Sequence, residues 1–193
     1  MYNIPKSVII DGVEHYIRND GDYRVILDCF RALEDVDLDA KERLLACLII
    51  FYKDVNSIED IEKLGDLKKA VSEMYNFFNC GSENVGTQSN HKLIDWDQDS
   101  QLICSAVNKV ASTEIRALPY LHWWTFMGYY AAIGDAPLST IIRIRNKLLK
   151  GKPLEKFERE FKRDNPKYFS WNSKTVEANE ADQLVKNLWN NGE

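Results

Sequence analysis

The spacing of apolar residues changes early in the chain, dividing it into an extended start and a helical remainder. Ser7 to Arg18 reads SVIIDGVEHYIR. Its Asp11-Gly12 pair, flanked by β-branched and aromatic residues, predicts a hairpin with a two-residue turn. A lone hairpin is marginal in water, so this one must pack on another element. After Asn19-Asp20-Gly21 the apolar positions take helical spacing. Tyr23, Ile26, Leu27, Phe30 and Leu33 form one stripe, with Asp22 placed as the N-cap.

Asp39-Ala40-Lys41-Glu42 has the form of a capping box, with Asp in place of Ser or Thr, and opens the next helix. LLACLIIFY follows, apolar on nearly every side, which places this helix deep in the core. Ser57-Ile58-Glu59-Asp60 predicts a third helix, with acids in the first turn where the helix dipole favours them. Gly65 marks a break or bend, and Leu67, Val71, Met74, Phe77 and Phe78 carry the helix on towards Gly81. CGSENVGTQSNHK, residues 80–92, is polar and glycine-containing and reads as a loop.

Asp95 to Asp99 then leads into a helix with the stripe Leu102, Ile103, Ala106, Val107 and Val110. Pro119 suits the first turn of the following helix, PYLHWWTFMGYYAAI, which stops at Gly134. Asp135 and Pro137 open a helix ending in KLLKG, with Gly151 just past its end. Pro153 starts another, LEKFEREFKRD, closed by Pro166, and a last amphipathic stretch runs from about Val176 to Trp189. The prediction is a mainly α protein, a helical bundle of roughly six to eight helices with a short N-terminal β-hairpin. Residues 1–193 read as a single helical domain, with halves 1–80 and 93–193 joined by the polar loop 81–92.

A chain of 193 residues can bury roughly 70% of its unfolded surface, so it needs no metal or disulfide staple. Cys29, Cys47, Cys80 and Cys104 are widely spaced and form no C-x-x-C pair, which fits reduced, mostly buried thiols and disfavours zinc. No apolar run reaches about 18 residues and no charged-then-apolar leader follows Met1, so the expectation is no membrane span and a cytoplasmic location. Phosphate-cradling glycine loops, the G-x-S-x-G elbow and the H-E-x-x-H pair are all missing, and His15, His91 and His122 are scattered. The chain therefore reads as no enzyme, with no catalytic residue, no cofactor and no metal.

Two motifs merit a structural and a functional reading side by side. Asp95-Trp96-Asp97-Gln98-Asp99 gathers three carboxylates but lacks the glycine of a calcium loop. It reads as an acidic first turn and N-cap, with Trp96 as an apolar anchor just outside the helix. In His122-Trp123-Trp124 the indoles point about 100° apart on a helix and cannot share one pocket. Trp124, Gly128 and Ala132 share a face where small residues would admit another helix. A core helix is the stronger reading and an aromatic ligand cage the alternative.

Charge is unevenly spread. The chain carries a net −5, which argues against general nucleic-acid coating. Residues 138–168 hold ten Lys and Arg against four acids, a net of +6, whereas residues 1–137 carry −9 and residues 169–193 carry −2. Such polarity can steer an acidic partner or order copies head to tail, although a solvated helical face is the simpler account. Trp123, Arg143, Arg145 and Lys147 are the candidate partner surface.

DYRVILDCFRALED, the helix up to LIIFY, FFNCG at Phe77–Gly81, IDWDQDSQLI at Ile94–Ile103, LHWWTF at Leu121–Phe126 and IIRIR at Ile141–Arg145 occur in this order. Together they resemble the tailed-phage family named for gene product fifteen, over about residues 20 to 168. The C-terminal 25 or so residues depart from the resemblance, and the hairpin carries no recognisable part of it. The resemblance implies a role in tail assembly inside the bacterial host. In that role a chaperone binds the long helical tape-measure protein until tail-tube subunits polymerise around it. Its implied partners are the tape-measure protein and tail-tube subunits, and a homo-oligomer is compatible with the charge polarity. It brings no catalytic residues. The alternatives are a structural or connector component of the tail and, third, a nucleic-acid-binding regulator using Arg143, Arg145 and Lys147.

Overall fold

A computed structural model of the chain describes residues 3–82 and 93–170. Most of the polar loop and the amphipathic stretch expected from Val176 to Trp189 lie outside the described residues. Among the described residues are seven α-helices and one two-stranded antiparallel sheet. They form two compact units, one of residues 3–82 with Tyr120–Trp124, the other of residues 93–119 and 125–170. The division therefore does not fall at the polar loop alone, because a five-residue segment from the later half belongs to the first unit.

In the first unit, β1 (Ser7–Ile10) pairs with β2 (Val13–Tyr16), placing Ile10 opposite Val13. Asp11 and Gly12 both take positive φ, as the tight primed turn demands. Ile10, His15 and Ile17 are buried, while Ile9 and Tyr16 face solvent, the alternation of a half-covered sheet. The chain then turns through Asn19, Asp20 and Gly21, all at positive φ. A Cβ on Gly21 would lie 2.7 Å from Phe77 Cζ, so both space and backbone require glycine here.

α1 (Tyr23–Leu33) starts where expected, with Asp22 Oδ1 accepting from the Arg24 amide at 3.0 Å. α2 (Ala40–Phe51) carries the expected capping box: the Asp39 side chain accepts from the Glu42 amide, and the Glu42 side chain accepts from the Asp39 amide. α1 packs on α2, and Cys29 and Cys47 are buried free thiols. The predicted third helix is two elements. Residues Glu59–Leu64 form a 3-10 helix, the chain turns left-handed at Gly65, and Asp66 caps a separate α3 (Leu67–Phe78). The acids of the first turn satisfy only that short piece. β1 lies against α3, which supplies the support the hairpin needs.

In the second unit α4 (Ser100–Ala111) buries Ile103, Ala106 and Val107. α5 (Trp123–Ala131) begins four residues later than Pro119 predicts, because the Leu121 and His122 backbones are engaged elsewhere. Its first two residues belong to the first unit. α6 (Pro137–Leu149) has its proline in the first turn and ends in a Schellman arrangement, with Gly151 N donating to Leu148 O and Lys152 N to Lys147 O. α7 (Lys156–Asp164) starts three residues after Pro153. Among the described residues no helix is long and apolar enough to cross a membrane.

Candidate interaction surface

His122-Trp123-Trp124 is built into the first unit. Phe77 and Phe78 end α3, where carbonyls lack partners within the helix. Trp123 Nε1 donates to Phe78 O and Trp124 Nε1 to Phe77 O, each at 2.9 Å. The two indoles thus diverge, as helical geometry requires, yet satisfy consecutive carbonyls. His122 Nδ1 accepts from the Trp124 amide at 3.0 Å, which leaves the proton on Nε2 for Pro5 O at 2.8 Å. Burial holds its pKa below the ordinary histidine value, against the raising effect of the Pro5 bond. Trp123 is only 1% exposed. Its place in the candidate partner surface is corrected: the indole fills the core beside Phe30 and binds α3, so a partner has nothing of it to touch. A Cβ built on Gly128 meets nothing within 4 Å, so the small-residue face holds no further helix among the described residues.

The other three candidates lie on α6 in the second unit, and their surroundings differ sharply. Arg145 is 3% exposed and Asp99 fully buried. Arg145 holds Asp99 through two bonds, at 2.5 and 3.0 Å. It also donates to Leu93 O at 2.9 Å and to Tyr168 O at 2.7 and 2.9 Å. Arg145 is therefore a fixed internal clamp, and its place on the partner surface is also corrected. Its position follows the buried residues Leu138 and Ile141 at intervals of seven and four, so the helix turns it inward. That charged residue in an apolar phase is the signal by which the sequence distinguishes it from Arg143.

The acidic motif takes part in the same clamp. Asp95 Oδ1 accepts from the Asp97 and Gln98 amides, closing a turn, while Asp99 offers its carboxylate to Arg145 and to the Asp95 amide. Asp99 occupies the N-cap position without a side-chain cap bond, so the acid expected to cap α4 serves the ion pair instead. Trp96 packs on Phe126 and Tyr130, the apolar anchor expected of it. Among the described residues no group of three His, Cys, Asp or Glu side chains is arranged to hold a metal ion.

Arg143 and Lys147 converge on one carboxylate, Glu158 of α7, at 3.2 and 2.7 Å. Glu158 is buried and also accepts from the Glu155 amide at 2.9 Å. The Lys147 hydrogen bond, followed by that amide, holds its carboxyl below the usual range. The Glu158 bond in turn raises Lys147 above the ordinary lysine value. These two cations tie α6 to α7.

The basic segment 138–168, which the sequence marks as a whole, also holds cations that these pairs leave over. Between Leu148 and Phe157, Lys150, Lys152 and Lys156 are exposed and have no ion-pair partner among the described residues. The same turn exposes Phe157 by 58%, Leu148 by 39% and Leu149 by 38%. Phe157 lies beside Phe161, the two rings tilted with centroids 6.1 Å apart. The α6–α7 turn is thus both apolar and basic.

No curated protein and no solved structure matches the chain. A family model, described as Bacteriophage Gp15 protein, matches residues 2–169. The match takes in the hairpin as well as the helical body and ends near Tyr168, whose carbonyl Arg145 holds. This chain belongs to the Bacteriophage Gp15 protein family.

Proposed function

We propose that this protein is a tail-assembly chaperone of a phage or prophage, which binds the helical tape-measure protein in the host cytoplasm and catalyses no reaction. Family membership supports the phage setting. The structural observation that carries the reading is apolar surface left uncovered on otherwise well-packed elements. Ile9 and Val13 stand out from the hairpin, and Leu148, Leu149 and Phe157 from the α6–α7 turn. Single exposed apolar residues are ordinary, but several on one element give an amphipathic helix somewhere to dock.

Co-expression with the tape-measure protein of the same phage tests this reading. The chaperone should co-purify with it and raise its soluble fraction, yet be absent from finished virions by mass spectrometry. A chain that neither co-purifies nor improves solubility is not its chaperone. Finding it in purified virions would make it a structural or connector component.

A further inference from the structure

We infer that the α6–α7 turn, Leu148 to Phe157, is a docking site for an acidic amphipathic helix of the protein's partner. The inference rests on the proposed binding of a helical protein and adds the surface and the charge it selects. α6 and α7 are held at this turn by Lys147 and Arg143 on buried Glu158, so the platform is fixed before anything binds. Phe157 is the aromatic anchor, with Leu148 and Leu149 as further apolar contacts. Lys150, Lys152 and Lys156 interleave with them and bear charges no described carboxylate neutralises.

The exposed acid in this stretch, Glu155, is bonded to Lys147, which leaves the three lysines as the net charge offered outward. A helix with an apolar stripe flanked by Glu would bury the first set and pair with the second. A basic helix would meet like charge. An anionic bilayer has the matching sign, but it would face a chain of net −5, whereas a single helix meets the lysines alone.

The test uses the full chain and two synthetic peptides of about 20 residues, long enough to form a helix, with the same leucine stripe and either Glu or Lys elsewhere. Fluorescence anisotropy should show the Glu peptide binding at least about tenfold more tightly than the Lys peptide, with the difference shrinking as salt rises. K150E/K152E/K156E should abolish or invert that preference. Phe157→Ser, a surface change independent of the lysines, should weaken both peptides. Circular dichroism establishes that each variant is folded.

Equal binding of the peptides, or a preference that survives charge reversal in a folded variant, overturns the proposal. So does binding to anionic phospholipid vesicles without peptide preference, or self-association that charge reversal disperses while the peptides stay unbound. If the tape-measure protein co-purifies with K150E/K152E/K156E as well as with the wild type, the docking site is wrong and the chaperone reading stands. A clear peptide preference without tape-measure co-purification has the opposite meaning.

Discussion

The two units are held together by different physics. In the first, aromatic rings meet edge to face: Phe51 contacts Tyr52, Phe77 and Phe78 at 4.9 to 5.5 Å, and Phe30 contacts Phe78 and Trp123. The second also buries aliphatic side chains, but at its centre stands an ion pair, Arg145 on Asp99. Losing a ring leaves a cavity that its neighbours fill only in part. Losing one member of the buried pair strands the other charge in a poorly solvating interior. The first unit thus depends on shape and the second on charge balance.

Removing one partner tests this most severely. Asp99→Asn should cost about 3–5 kcal/mol, because it leaves the Arg145 charge buried and uncompensated. Hydrogen exchange should then show α4 and α6 losing protection while α1 and α2 keep it. Replacing both residues, Arg145→Met with Asp99→Leu, should recover only part of that loss, because Leu93 O and Tyr168 O lose their donor. Full recovery would mean that charge pairing alone, not the carbonyls, makes Arg145 matter.

Phe51→Ala probes the other unit and should cost a similar amount, about 3–5 kcal/mol, with the exchange pattern reversed. If both variants open the same amides, the contrast between the units fails.

Gly21→Ala should follow, at about 1–2 kcal/mol for the left-handed backbone and about as much again for the clash with Phe77. A thermal melt measures it, and Phe77→Leu in the same chain should relieve the second contribution.

The smallest effect expected is that of pH. His122 is neutral in the folded chain with a lowered pKa, and its Nδ1 must stay unprotonated to accept from Trp124. The unfolded chain takes up that proton first as pH falls below the ordinary value of 6.5. Stability is therefore fully present above 6.5 and declines below it. His122→Gln should flatten that acid limb in a denaturation series, and an unchanged slope would remove His122 from the account.

The sequence announces what is local. Asp22, the Asp39–Glu42 box, the Asp11-Gly12 turn and Pro137 each act within a few residues, and each does what its neighbours imply. Gly65 was legible as a break but not as the end of a 3-10 helix, because the choice between 3-10 and α depends on packing. The candidate surface was less legible. Helical phase sets Arg145 apart from Arg143 and Lys147, but the partners that fix all three, Asp99 and Glu158, lie 11 to 46 residues away. Trp123 reads as part of a partner surface in the sequence, but the carbonyl of Phe78 gives its polar atom a partner inside. The unpaired lysines could be recognised only after the paired ones were assigned.

The Asp22 carboxylate has a consequence for how the chain is made. Oδ1 caps α1 locally, while Oδ2 accepts from the amide of Leu121, 99 residues later, and Tyr23 N donates to Leu121 O. On the ribosome the first unit can collapse early but cannot close, since the segment that completes it emerges only after most of the chain has been synthesised. That closure joins residues 99 apart, and contacts of such separation carry the loop-closure entropy that slows folding. In pulse-labelled refolding, the Leu121 amide should gain protection together with the slowest amides of α1.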